Sequence, residues 1–147
     1  MMKRLTLLCL FLALTIAACA PKVQEPAANV LKVSDGKVTR TFTATELQAL
    51  AKEQDTINGV TYLGVPLTVL IQAAGIDPTA LTAVKAVAID GFSANYDPAL
   101  FGRKDTIIAY ARVDGPLGDD EAPFRMVLPA EGGKMNPRQL TDIVAIP

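Results

Sequence analysis

The chain has 147 residues, half of them hydrophobic and 20% charged, with 14 Lys and Arg against 15 Asp and Glu, and no His or Trp. Without an imidazole there is no Ser-His-Asp triad, no Cys-His pair, no His-ligated zinc and no His general base. A net charge of −1 with no basic run argues against nucleic acid as a partner.

Met1-Met2-Lys3-Arg4 is a short cationic start, followed by 14 apolar positions broken only by Thr6 and Thr15. That run is shorter than the roughly 20 residues a spanning helix needs, and it fits the apolar region of a secretory signal. It ends in Ile16-Ala17-Ala18-Cys19. These residues resemble the bacterial lipoprotein signal; an ordinary signal with a chance cysteine is the alternative. The resemblance implies a signal over residues 1–18 and a mature N-terminus at Cys19, with diacylglycerol on its sulfur and an acyl chain on its amine. Each buried CH₂ contributes about 0.8 kcal/mol, so the implied partner is a membrane held through lipidated Cys19. Ala20 in place of Asp implies, by the same resemblance, the outer membrane facing the periplasm. Cys9 leaves with the signal, so the folded part is expected to hold no free thiol and no disulfide. Lys3 and Arg4 leave too, so 12 basic residues face 15 acidic ones, a net of −3.

Residues 19–29, with Pro21 and Pro26 and no apolar period, read as a tether to one domain over residues 30–147. Two alternating runs, 30–33 and 38–42, flank Ser34-Asp35-Gly36-Lys37, a hairpin signal. Thr43-Ala44-Thr45-Glu46 fits a capping box and opens a short helix with Leu47, Leu50 and Ala51 on one face. Residues 56–62 read as extended, with Asn58-Gly59 as a turn. Gly64-Val65-Pro66-Leu67 is expected to open a second helix, with Pro66 in its first turn and Gly75 as its C-terminal cap. Its apolar face is Leu67, Leu70, Ile71 and Ala74. Residues 83–89 and 92–96 read as strands around Asp90-Gly91. Asp97-Pro98 starts a turn or short helix, and residues 106–113, 124–128 and 141–146 are the remaining strands. The expectation is an α+β domain, β-rich and mixed, of six to eight strands with two or three short helices.

Taken together, these pieces resemble the oxidoreductase molybdopterin-binding domain, the fold of the sulfite oxidase catalytic domain. The likeness lies in the capped helix over 43–50, Gly64-Val65-Pro66-Leu67 before a Leu-rich helix ending in Ala74-Gly75, and Asp90-Gly91-Phe92. It continues through Ala109-Tyr110, Gly115-Pro116-Leu117, Pro123-Phe124-Arg125-Met126-Val127-Leu128-Pro129 and Arg138-Gln139-Leu140-Thr141-Asp142-Ile143. In catalytic members a cysteine upstream of the Gly-Val-Pro-Leu helix ligates molybdenum. Here that stretch is Gln54-Asp55-Thr56-Ile57-Asn58, and no His matches the family histidines. A soft metal needs its thiolate, so molybdenum ligation by Cys is not expected. The resemblance therefore implies a non-catalytic binding or interaction module with an unidentified protein or small anionic ligand as partner. The alternative is a redox protein, oxidoreductase or accessory subunit, that still binds molybdopterin.

The resemblance implies Arg125 and Arg138 near the cofactor or its anionic substrate; if molybdopterin is kept, Arg125, Arg138 and Lys134 would grip its phosphate, and Asp90 is a further candidate ligand-binding residue. An Arg fork suits an oxyanion; the competing reading is a structural Arg paired with Asp90, Asp142 or a carbonyl. No catalytic residue and no metal-ligand set is expected. Glu131-Gly132-Gly133-Lys134 fails as a phosphate loop, since Leu128 stands where Gly is needed and Met135 where Ser or Thr is needed, and it is expected to form a hairpin loop. Asp119-Asp120-Glu121 reads as a solvated acidic turn, and Tyr96 and Tyr110 as core or pocket wall.

Overall fold

The turn Ser34-Asp35-Gly36-Lys37 closes the first hairpin as its Asp-Gly predicts. The Asp35 carboxylate accepts the Lys37 and Val38 N–H groups at 2.9 and 2.7 Å, and Gly36 takes the positive φ of 86°. The computed structural model describes residues 29–147; the expected signal, Cys19 and the tether up to residue 28 lie outside the described residues. In chain order the elements are β1 (Val30–Ser34), β2 (Thr39–Thr43), α1 (Ala44–Gln48), β3 (Glu53–Ile57), β4 (Val60–Pro66), α2 (Leu67–Ala73) and β5 (Ala83–Ala88). There follow β6 (Ser93–Tyr96), α3 (Pro98–Phe101), β7 (Ile107–Arg112), β8 (Arg125–Val127) and β9 (Leu140–Ile146). The class is the α+β domain expected, with nine strands among the described residues rather than six to eight. The surplus comes from residues 53–66, where Asn58 (φ 51°) and Gly59 (φ 79°) make a two-residue turn that splits one extended run into the β3–β4 hairpin.

The strands form two sheets, ordered β2-β1-β9-β5-β6 and β3-β4-β7-β8. Among the described residues only β1 and β9 run parallel. The registers give the five-stranded sheet two distinct ends. Val30 pairs with Thr43, Ala88 pairs with Leu140, and Lys32 pairs with Asp142, so the chain enters level with Leu140 and with the Ile89–Phe92 turn. The other end carries the Ser34–Thr39 hairpin turn, Ala83 and Ile146.

The main core lies between the sheets and under the two longer helices. Leu31, Val33, Phe42, Val84, Tyr96 and Ile143 meet Val65, Ile108, Met126 and the Leu67, Leu70 and Ile71 face of α2, all essentially inaccessible to water. The capping box forms: Thr43 Oγ1 accepts the Glu46 N–H, and Glu46 accepts the Thr43 N–H. That helix ends earlier than expected, and Ala51 is exposed. Pro66 caps α2 from the end of β4 rather than sitting in its first turn, because Gly64, Val65 and Pro66 pair with β7. Gly75 has φ 85° and ends α2 in a Schellman-type turn, with its N–H on Gln72 O and that of Ile76 on Ile71 O. The 131–134 loop is not a hairpin, since β8 and β9 belong to different sheets. No helix among the described residues is long and apolar enough to cross a membrane.

Gly64 sits at an irregularity in the β4–β7 pairing, where a Cβ would stand 2.5 Å from the Ile108 carbonyl oxygen. That neighbour is backbone and cannot rotate away. We expect Gly64→Ala to cost about 1–3 kcal/mol by overpacking, read as a lower urea midpoint. An unchanged midpoint would contradict this close approach.

Candidate functional site

The four-stranded sheet has a second, smaller core on its other face, made by Tyr62, Ile107, Ala109 and Val127 under Leu117 and Ala122 of the β7–β8 connection. Strand alternation puts Arg125 on this face too, since it lies two residues from Val127 and pairs with Ala109. The same connection brings down Glu121, which is 2% exposed. Glu121 Oε1 accepts the Tyr62 hydroxyl at 2.7 Å and Arg125 Nη1 at 2.5 Å. Its Oε2 accepts Arg112 Nη2 at 2.7 Å and Nε at 3.0 Å, and the Gly118 N–H at 3.2 Å. Arg125 also donates to the Tyr62 oxygen at 2.8 Å and lies 4.6 Å over that ring. Burial pushes the Glu121 carboxyl up, but the hydrogen bonds from Tyr62, Arg112, Gly118 and Arg125 outweigh it and hold the group down at about 2. The Tyr62 hydroxyl is pushed up by burial and by its bond to Glu121.

This cluster corrects two expectations. Asp119-Asp120-Glu121 is not uniformly solvated: Glu121 is the acceptor at its centre. Arg125 is structural in the sense of the competing reading, but its partner is Glu121 rather than Asp90, Asp142 or a carbonyl alone. Asp142 pairs with Lys32 at 2.5 Å, and Asp90 accepts the Phe92 N–H at 2.9 Å within its own turn.

Asp90, Lys134 and Arg138 come together in a cleft of about 490 Å³, with Phe92, Asp120 and Gln139 also on its walls. The loop bearing Lys134 is braced. The buried Asn136 side chain accepts the Leu128 N–H at 2.6 Å and donates to the carbonyls of Glu131 and Gly132, and the Tyr96 hydroxyl donates to Met135 O at 2.8 Å. Arg138 is exposed and ion-paired with Asp120, whereas Lys134 has no ion-pair partner among the described residues. A second cleft of about 230 Å³ adjoins the first through Arg138 and Gly133. Arg125 lies in its wall, and Thr56, Ile57 and Asn58 face it. Arg125 thus shares the second cleft with Arg138 but is not on the wall of the first, and its guanidinium is bonded to Glu121 and Tyr62.

A family model for the oxidoreductase molybdopterin binding domain matches residues 23–147. The chain belongs to this family. Among solved structures it is similar to the sulfane dehydrogenase SoxCD from Paracoccus pantotrophus, with a TM-score of 0.70 and 18% identity over 80% of this chain. The match spans 38% of that chain, and at this identity it shows the shared fold. No curated protein matches.

Family position pointed to Arg125 and Arg138, and the fold places both on the wall of the second cleft. Sequence reasoning missed Tyr62, Arg112 and Glu121. A signal was available: an Arg on an inward position of a strand requires a buried partner.

Proposed function

We propose that this member of the family is a non-catalytic binding module of the cell envelope. It is held at the outer membrane by lipidated Cys19, faces the periplasm, and takes an anionic group in the cleft of Asp90, Lys134 and Arg138. The donor set supports this reading. The stretch where catalytic relatives place their thiolate is here Gln54 to Asn58, and Thr56, Ile57 and Asn58 line the cleft shared by Arg125 and Arg138. None of those side chains is a soft donor, and residues 20–147 contain neither Cys nor His. The described residues also hold no group of three His, Cys, Asp or Glu side chains able to share a metal. The arginine best placed by resemblance for a cofactor phosphate is spent on Glu121. The residues present therefore do not fit a protein-ligated molybdenum centre. Lys134, on its braced loop, supplies the cleft's uncommitted cation.

Family membership carries a second reading, a redox or accessory subunit that keeps molybdopterin without a protein thiolate. One measurement separates the two: elemental and pterin analysis of the protein purified from its native envelope. We expect neither molybdenum nor pterin in stoichiometric amount. Either one near one per chain overturns the non-catalytic reading.

A further inference from the structure

We infer that the end of the five-stranded sheet where the chain enters docks on the lipid surface, with Ile89 and Phe92 inserted at the headgroup boundary. The inference rests on the lipid-anchor reading and adds to it an orientation and a contact.

Four large hydrophobics stand exposed among the described residues: Val38, Ile89, Phe92 and Val113. Ile89 at 62% and Phe92 at 44% share the single turn between β5 and β6. The turn is held firmly. The Ile89 N–H bonds Gln139 O, the Gly91 N–H bonds Ala88 O, and Asp90 accepts the Phe92 N–H. Both side chains are therefore presented from a fixed tip rather than a loose loop.

The strand registers place this tip at the entry end. Strand β5 is two strands from β1, about 10 Å away at the usual spacing. Cys19 lies ten residues before Asn29, a span of at most about 35 Å. An anchor at Cys19 thus keeps the entry end, and the tip with it, within reach of the membrane surface. Confinement makes docking an intramolecular step, so an insertion of two side chains suffices where it would fail for a free protein. Charge does not drive the contact. Lys134 and Arg138 flank the tip, but Asp90, Asp119 and Asp120 share that end. Docking therefore does not depend on anionic lipid, and Phe92, on the cleft wall, sets the cleft mouth against the headgroups.

The chain has no Trp, so Phe92→Trp and Val38→Trp each give a single reporter. Val38 is 40% exposed at the opposite end of the same sheet. The full lipidated protein is reconstituted into phosphatidylethanolamine–phosphatidylglycerol vesicles whose acyl chains carry bromine, which quenches Trp on contact. We expect the Phe92→Trp reporter to lose most of its emission, the Val38→Trp reporter to keep its own, and phosphatidylcholine vesicles to give the same result. Protein that floats with the vesicles while neither reporter is quenched overturns the docking and leaves the anchor standing. Quenching at both sites overturns the orientation. Emission at position 92 that shifts with protein concentration, without quenching, makes a second copy the occupant and overturns the proposal. Protein that fails to float removes the anchor and this inference together.

Discussion

Replacing Glu121 with Ala should lower the stability of the protein by about 3–5 kcal/mol, the usual cost of stripping one partner from a buried ion pair. Arg125 is 3% exposed, so its guanidinium would be left buried against Tyr62 without its carboxylate. Its Nη1 would keep only the Tyr62 oxygen, and the Tyr62 hydroxyl and the Gly118 N–H would each lose their acceptor. Arg112, at the sheet margin, turns to solvent at little cost. For a domain of this size the melting temperature should fall on the order of 10–20 °C. The asymmetry between one removal and two makes the test specific. Replacing both members by apolar side chains, Glu121→Leu with Arg125→Met, leaves no orphaned charge and should recover much of the loss. Single and double variants equally destabilised would mean that the pair acts through packing alone. A loss of less than about 1 kcal/mol for Glu121→Ala would mean that water reaches Arg125 after all.

The same cluster marks where sequence reasoning succeeded and where it stopped. Features set by neighbours in the chain were legible: the Asp35-Gly36 turn, the Thr43–Glu46 box, the Leu67, Leu70 and Ile71 face, and Gly75 at the helix end. Each depends on contacts within about five residues, which a sequence displays directly. The order of motifs carried the family and hence the β-rich α+β class, whereas the division into two sheets is visible only in the strand pairing. Pro66 was misplaced by one position because its ring satisfies a strand end as readily as a first helical turn. Glu121 was misread because its composition signal, three acids in a row, is that of a solvated loop. Only the pairing of β4, β7 and β8 shows that Tyr62, Arg112 and Arg125 converge on it from 59, 9 and 4 residues away. The candidate site divided along the same line. Asp90, Lys134 and Arg138 were named as candidates and do share a cleft, but the fold alone shows that Arg125 does not line it and is bonded to Glu121 instead.

Acid should unfold the protein chiefly through Glu121. In the folded state its carboxyl titrates at about 2, against an ordinary value of 4.5. A folded pKa below the unfolded one means that the unfolded chain binds the proton first, so stability is complete above about pH 5 and falls as pH drops toward 2. The shift corresponds to about 3 kcal/mol across that window. Asp105, held down by its hydrogen bonds from Arg103, adds in the same direction but is more exposed to solvent. Asp55 works against them, since burial raises its pKa. Residues 20–147 contain neither His nor Cys, so no side chain of ordinary pKa there titrates between the carboxylates and the tyrosines, and stability should be flat from about pH 5 to 9. Above that it should decline, because burial raises the Tyr62 pKa and the unfolded chain then loses its proton first. Urea midpoints measured from about pH 2 to 11 test this shape. Glu121→Gln provides the decisive comparison: it removes the titrating group and leaves a neutral acceptor for Tyr62. Its midpoint should lie well below that of the parent at pH 7, and the two should converge as pH falls, because protonated Glu121 and Gln present nearly the same uncharged group to Arg125. Two curves that stay parallel down to pH 2 would mean that other carboxylates carry the acid limb and that Glu121 is not the group whose charge the fold requires.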